Sequence, residues 1–186
     1  MGPTKGLNVI HLFCHAQTEV DRERVHDAVA WATEQGLQVV VAAIVGAKAD
    51  VCFMVLGSDL WDLRKFQSKI AASGLFVAES YVSVTEVSEY AQGMPEEMLT
   101  ARLYPVLPPE GLSAFCFYPM SKRRDAVNNW YALPFDERRQ LMREQPLTAD
   151  TWPVWRDYYI RLYYALDVQE PREFYDVIGE FMGSQA

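Results

Sequence analysis

Cysteine and histidine are both scarce in this chain of 186 residues, which contains three of each. The cysteines each stand alone in an apolar run, without the C-x-x-C spacing typical of zinc or redox motifs, at Cys14, Cys52 and Cys116. We therefore expect buried free thiols in a reducing compartment. The histidines all lie in the first part of the chain, at His11, His15 and His26. The pattern favours structural roles for them, and no metal site is predicted.

Positive charge is also in short supply. Asp and Glu number 25 against 17 Lys and Arg, for a formal net charge of -8 and a pI near 4.9. Because no basic stripe is present to neutralise phosphates, we expect no nucleic-acid partner. The basic residues form short clusters, of which 122–124 is the clearest, and this suits a small anionic ligand.

Long hydrophobic runs are absent from the sequence. The longest apolar run, 39–47, is far too short to span a bilayer. The N-terminus lacks a basic region followed by an apolar stretch, so no signal peptide is predicted. We therefore expect a cytoplasmic protein without a membrane partner.

The first half of the chain predicts alternating strands and helices. At 50% hydrophobic residues the chain can bury a core. The predicted elements are strand 7–15, a helix from its N-cap Thr18 to Gly36, strands 37–45 and 51–56, helix 59–72 and strand 77–87. The order β-α-β-β-α-β is that of a ferredoxin-like unit.

The second half repeats this pattern incompletely. After a short helix at 94–102 and a Pro-rich segment come strand 112–118, helix 135–144, strand 158–166 and helix 170–181. Two strands of a second ferredoxin-like unit are therefore missing from the pattern. We predict three regions: a ferredoxin-like half at 1–92, a linker with a short helix at 93–111, and a shortened ferredoxin-like half at 112–186 that carries the pocket.

A single sheet of this kind leaves one apolar face bare, so such units pair into a barrel or associate between chains. The predicted fold class is therefore α+β, a dimeric α/β-barrel of two ferredoxin-like halves with the second half incomplete. We also expect an oligomer, formed by copies of this chain or with a homologue.

The run 116–125, Cys-Phe-Tyr-Pro-Met-Ser-Lys-Arg-Arg-Asp, carries the most distinctive chemistry. An apolar strand is predicted to end in a Tyr-Pro turn, and Lys122 follows Tyr118 by four residues. Such an arrangement can place a redox-capable phenol and a cation at one end of a strand, facing the same pocket. From these two residues alone, a rim tyrosine and a solvated lysine are the more ordinary interpretation.

Together with several other blocks, this run closely resembles the coproheme decarboxylases of the chlorite dismutase superfamily. The other matching blocks are Lys48-Ala49-Asp50, Ser80 to Tyr90, Ala101-Arg102-Leu103-Tyr104-Pro105, Asn129 to Pro134 and Met142-Arg143-Glu144. The resemblance implies a cofactor, heme or iron coproporphyrin, and a porphyrin as the small-molecule partner.

Carried over to this chain, the resemblance implies three residue roles. Arg102 corresponds to the residue that pairs with a propionate of the porphyrin, for which a guanidinium is well suited. Lys122 corresponds to the lysine beside the reactive propionate, and Tyr118 to the tyrosine that relays an electron and a proton. In the family, peroxide oxidises coproheme iron, a tyrosyl radical takes a hydrogen atom from a propionate, and carbon dioxide leaves to yield a vinyl group.

One position departs from the family pattern. Gln145 stands where the family has its iron-binding histidine, and helical spacing puts it on one face with Leu141 and Met142. An amide oxygen is a far poorer ligand for heme iron than an imidazole. Pro146 follows where the family has glycine, and the family's next strand and C-terminal segment have no counterpart in the pattern.

Three functions therefore stay open. In the first case the chain is a shortened coproheme decarboxylase that uses Arg102, Tyr118 and Lys122, with the iron held weakly by water or by a residue of a partner. In the second it has lost the iron ligand and serves as a porphyrin-binding or partner subunit without catalysis. In the third it is a heme-free α/β-barrel protein that binds another small molecule in its cleft.

Overall fold

The computed structural model describes residues 5–91, 93–108, 115, 117, 120–122, 124–143 and 159–161. The chain divides into two compact units, Met1–Glu110 and Gly111–Ala186. Most of the described residues belong to the first unit.

The first unit contains an antiparallel four-stranded sheet with two long helices. Its elements are β1 (Asn8–Ala16), α1 (Arg22–Glu34), β2 (Gln38–Ala43), β3 (Val51–Gly57), α2 (Leu60–Ala71), β4 (Leu75–Val84), a 3-10 turn (Glu89–Ala91) and α3 (Glu96–Leu103). The strand order is β2-β3-β1-β4, and each neighbouring pair is antiparallel. This order confirms the predicted ferredoxin-like βαββαβ pattern and the α+β class. Within the described residues, no helix has the length and apolar character needed to cross a bilayer.

The first helix begins later than the sequence pattern predicts. Asp21, not Thr18, is the N-cap of α1, and its Oδ1 accepts a hydrogen bond from the Arg24 N–H at 3.1 Å. The Asp21 N–H in turn donates to the Ser73 carbonyl at 2.9 Å. This bond ties the start of α1 to the segment after α2. A tertiary contact therefore selects the cap from among several polar residues.

The core of the first unit lies between one face of the sheet and the helices α1 and α2. Its most completely buried members are Leu12, Cys14, Phe53, Val55, Leu63, Phe66 and Ile70. Phe53 of β3 and Phe66 of α2 meet edge to face, with 5.8 Å between their ring centroids. Cys14 and Cys52 are buried free thiols, as predicted, while Cys116 lies outside the described residues.

The opposite face of β1 is buried as well. Val9, His11 and Phe13 alternate with the core residues of this strand and are only 4%, 6% and 7% exposed. Because β1 is enclosed on both faces, its sequence is a nearly continuous apolar run. Burial lowers the pKa of His11 from 6.5 to about 4, since the charged imidazolium is poorly solvated there.

Thr85, just after β4, fastens the end of α3 to the start of β1. Its Oγ1 accepts a hydrogen bond from the Leu7 N–H at 2.7 Å and donates one to the Leu103 carbonyl at 2.6 Å. Gly6 lies against the same residue with a φ of +89°, and a Cβ at this position would come within 2.5 Å of the Thr85 carbonyl oxygen. The Gly6 N–H also donates to the Tyr104 hydroxyl at 3.1 Å. The last turn of α3 is thus anchored to the sheet.

Gln38, the first residue of β2, holds the segment that follows α3. Its Nε2 donates to the Pro105 carbonyl at 2.8 Å, and its Oε1 accepts from the Leu107 N–H at 2.7 Å. The side-chain amide supplies the partners that this extended segment would otherwise need from another strand.

The described part of the second unit contains a pair of short strands and one helix. β5 (Met120–Lys122) pairs antiparallel with β6 (Tyr159–Arg161), a 3-10 turn spans Trp130–Ala132, and α4 spans Phe135–Arg143. α4 and β6 fall within the predicted helix 135–144 and strand 158–166. The predicted helix 170–181 lies outside the described residues.

The strand predicted at 112–118 is wrong at the positions that can be compared. Only Phe115 and Phe117 of this range are described, and neither belongs to a strand. Strand pairing is found after Pro119, at β5.

The buried imidazole of His11 predicts a loss of stability at mildly acidic pH. The pKa is near 6.5 in the unfolded chain and about 4 in the folded protein, so the unfolded state binds the proton first as the pH falls. The stabilising contribution is complete above pH 6.5 and declines toward pH 4, by at most about 3 kcal/mol. We expect His11→Gln to show a flatter dependence of the free energy of unfolding on pH, measured with urea across this range.

His26→Gln is the matched control, because it removes a histidine at an exposed position of α1. This control should keep the pH dependence of the wild type. Parallel curves for His11→Gln and the wild type would contradict the assignment.

The hydrogen bonds of Thr85 give a second prediction about stability. Thr85→Val keeps the shape of the side chain but leaves the Leu7 N–H and the Leu103 carbonyl without this partner, at a cost of about 1–3 kcal/mol. Ser83→Ala, an exposed position on β4, should change the free energy of unfolding by less than about 0.5 kcal/mol. Equal effects of the two substitutions in urea unfolding would show that the Thr85 bonds add nothing.

Candidate functional site

Lys122 lies in β5 with its ammonium over an aromatic ring. Its Nζ is 4.5 Å from the ring centroid of Trp130, well within the range of a cation–π interaction. The indole is 1% exposed, and Lys122 is half-buried. The backbone of Lys122 is fixed as well, because it pairs with Tyr159 of β6. The charge predicted to bind an anion therefore has a defined position in the second unit.

A tight loop brings Trp130 back beside β5. The Asp125 Oδ1 accepts hydrogen bonds from the N–H groups of Val127 at 2.9 Å and Asn128 at 2.6 Å. This is the local turn that aspartate favours. An antiparallel bridge between Arg124 and Asn129 closes the loop.

The 3-10 turn that carries the indole starts at a capping asparagine. The Asn129 side chain accepts from the Tyr131 N–H at 3.1 Å. Trp130 is therefore placed by a capped turn immediately after the closed loop, and its ring is buried rather than exposed.

Two further cations of the second unit also lie over aromatic rings. The Arg124 guanidinium is 4.0 Å from the ring centroid of Tyr131, and that of Arg138 is 5.8 Å from Phe135. Arg124 and Tyr131 are exposed, so their contact is more screened by solvent than the one between Lys122 and Trp130. Of these three contacts, the lysine contact is the one made to a fully buried ring.

Arg102 lies in the last turn of α3, in the first unit, and is exposed. A basic residue at this end of the helix complements its dipole, as Glu96 and Glu97 do in the first turn. Its backbone position is set by the anchoring of α3 at Thr85. An exposed guanidinium on an anchored helix end can bind a carboxylate through two parallel hydrogen bonds.

Two of the predicted site residues, Tyr118 and Gln145, lie outside the described residues. In the sequence, Tyr118 precedes β5 by two residues, and Gln145 follows the end of α4 by two. Arg102 and Lys122 belong to different units. The roles of all four residues in one site stay predictions.

His11 and His15 of β1 lie too far apart to share one ligand. Four residues along a strand correspond to about 13 Å. His15 Nδ1 is 3.3 Å from Asp50 Oδ2, which also accepts from the Ala16 N–H at 2.8 Å. The backbone bond from Ala16, and after it the bond to His15, lower the pKa of the Asp50 carboxyl. His15 thus pairs with a carboxylate at the end of the strand.

Sequence reasoning missed Trp130 as the partner of Lys122. The two residues are eight positions apart, and neither helical nor strand spacing predicts their contact. The available signal was Asp125 and Asn129, since both are strong turn and cap formers that indicate a reversal of the chain between the two residues.

Comparison with known proteins extends the resemblance to the whole fold. The model of the chlorite dismutase family matches residues 18–176. A solved structure of a heme-binding protein from Thermus thermophilus is 25% identical, with a TM-score of 0.64, and the match covers 95% of this chain and 83% of that protein.

A mutant chlorite dismutase from Candidatus Nitrospira defluvii is 22% identical, with a TM-score of 0.52, and the match covers 76% of this chain and 64% of that enzyme. The chain therefore spans just under two thirds of the length of that enzyme, and a likeness at this identity shows the fold alone. The family model, in contrast, matches residues of both units. The chain therefore belongs to the chlorite dismutase family.

Proposed function

We propose that this protein binds heme or iron coproporphyrin through the propionates of the porphyrin, with Lys122 and Arg102 as the carboxylate-binding cations. The observation that carries the proposal is the ammonium of the half-buried residue Lys122, held 4.5 Å over a buried indole. The heme-binding relative from Thermus thermophilus, whose match covers 95% of this chain, supports the choice of ligand.

The chemistry of the donor groups fits the carboxylate end of the ligand. A fixed ammonium and an exposed guanidinium both form charge-assisted hydrogen bonds with carboxylates. In a chain with a net charge of -8, such local cations favour a small anion over a polyanion.

The iron end of the ligand fits less well. Residues 111–186 contain no histidine in the sequence, and Gln145 stands where the resemblance places one. A neutral amide oxygen binds heme iron weakly. We therefore assign the described cations to the propionates and assign no residue to the iron.

The finer proposal is peroxide-dependent oxidative decarboxylation of the propionates of coproheme. Bound iron coproporphyrin supplies the centre at which peroxide is reduced. Tyr118 is the residue proposed to give up a hydrogen atom and then take one from a propionate, which a phenol can do and a phenylalanine ring cannot. Lys122 holds the carboxylate of that propionate during the reaction.

A second candidate function follows from Gln145. Without an imidazole ligand, a family member can keep the porphyrin-binding cations and bind the ligand without catalysis, or serve as a partner subunit for a complete homologue. An assembly with copies of the chain or with a homologue is part of this proposal.

Removal of the Lys122 charge tests whether this residue contributes to porphyrin binding. We expect Lys122→Met to weaken binding of iron coproporphyrin about tenfold or more, because a hydrogen bond to a charged group is lost. The measurement is a titration followed by the Soret band. Lys69→Met is the matched control, since Lys69 also lies over an indole, 5.0 Å from the Trp31 ring, but in the first unit.

Equal affinities of Lys122→Met and the wild type would remove Lys122 from the site. If the wild type shifts the Soret band of neither heme nor iron coproporphyrin, only the heme-free alternative remains. Arg102→Gln should weaken binding to a similar degree if the guanidinium pairs with another propionate.

Replacement of the Tyr118 phenol tests the proposed decarboxylation. With iron coproporphyrin and peroxide, the wild type is expected to release carbon dioxide and lower the mass of the porphyrin, measured by mass spectrometry. Tyr118→Phe should abolish this change and leave binding intact, whereas Tyr131→Phe, at an exposed ring, should not. An unchanged porphyrin mass with the wild type, despite binding, would favour the non-catalytic function.

A further inference from the structure

We propose that Trp130 is a positioning residue that holds the Lys122 ammonium in place for an anionic ligand. This inference rests on the proposed function of Lys122 as a carboxylate-binding cation. It assigns to a residue outside the predicted site a specific task within that site. The ring fixes the cation, and the cation binds the carboxylate.

The Lys122 side chain is held at both of its ends. At one end, the backbone of Lys122 is paired with Tyr159 in the β5–β6 ladder. At the other end, the ammonium lies 4.5 Å from the centroid of the Trp130 ring. A flexible four-carbon stem held at both ends loses most of its rotamer freedom before any ligand arrives. Binding then costs less conformational entropy, which raises affinity.

Burial of the Trp130 indole strengthens its cation–π interaction with the Lys122 ammonium. A cation–π interaction strengthens when solvent is kept away from it, and tryptophan is the best aromatic partner. Trp130 is 1% exposed, whereas the Tyr131 ring that faces Arg124 is 52% exposed. An ammonium has three N–H donors, so contact with a ring face is compatible with a hydrogen bond to a carboxylate oxygen.

Neighbouring contacts keep the second cation away from this ring. Arg124 lies over Tyr131 at 4.0 Å, and its backbone bridges to Asn129 at the base of the loop. Two positive charges close in sequence thus have separate aromatic partners. Of the described residues of this run, Lys122 and Arg124 therefore each lie over an aromatic ring of their own.

The first experiment measures the pair without a ligand. Reductive methylation with 13C-labelled formaldehyde turns each lysine into a dimethylammonium that keeps its charge and is visible by NMR. The methyl signal of Lys122, assigned from the Lys122→Arg variant, is expected to be shifted upfield by the ring current of the indole. Trp130→Leu should abolish this shift, and Trp130→Phe should reduce it.

The Lys69–Trp31 pair, with its 5.0 Å separation, is an internal control. Trp31→Leu should change the Lys69 signal alone, and Trp130→Leu should leave it unchanged. A Lys122 signal in the wild type without a ring-current shift would overturn the proposal, and this measurement does not require the leucine variant to fold.

The second experiment measures the consequence for binding. In Soret titrations with iron coproporphyrin, Trp130→Leu is expected to weaken affinity about tenfold, and Trp130→Phe to restore most of it. In a Lys122→Met background, Trp130→Leu should cause no further loss. A purely structural role of Trp130 would instead give the same loss in both backgrounds and no rescue by phenylalanine, which would overturn the proposal.

The two experiments also separate this inference from the proposed function. If the wild type does not bind iron coproporphyrin, the proposed function fails, whereas the NMR signal still decides whether the pair exists. If the porphyrin binds but Trp130→Leu binds equally well, the proposed function survives and the positioning role of Trp130 is lost.

Discussion

A lysine ammonium held over a buried indole is the interaction on which the candidate site depends. A lysine on a strand normally keeps its charge in bulk water and moves freely. Here the ammonium of Lys122 is 4.5 Å from the Trp130 ring, and the residue is half-buried. The loop closed by Asp125 and the Arg124–Asn129 bridge makes this contact possible, since it returns the chain to β5. In the role that we propose for Trp130, this contact preorganises the Lys122 cation.

In the first unit, the sheet sets the position of the end of α3. β1 is buried on both faces and pairs with both β3 and β4, so it is a central strand of this unit. Gln38 binds Pro105 and Leu107 through two hydrogen bonds, and Thr85 donates to the Leu103 carbonyl while it accepts from the Leu7 N–H. The end of α3, which carries Arg102, is therefore fixed by the sheet and not by its own helical propensity.

Membership of the chlorite dismutase family raises the question of porphyrin binding, and the missing histidine raises the question of chemistry at the iron. The family model matches residues 18–176, so the fold is shared across both units. Gln145 stands where the resemblance places a histidine, and an amide is a poorer ligand for heme iron than an imidazole, whereas the cations Lys122 and Arg102 of the proposed site are present. In the proposed function, porphyrin binding through propionates and porphyrin chemistry at the iron therefore depend on different residues of the chain.

By itself, the sequence determined the α+β class, the element order of the first unit, the buried thiols Cys14 and Cys52, and the helix at α4. These features depend on local periodicity and turn chemistry, which are written along the chain. Tertiary structure alone decided that the N-cap of α1 is Asp21, whose N–H bonds to the Ser73 carbonyl, and that Lys122 lies over Trp130. Such contacts join residues through turns and packing, and their partners cannot be selected until the chain has folded around them.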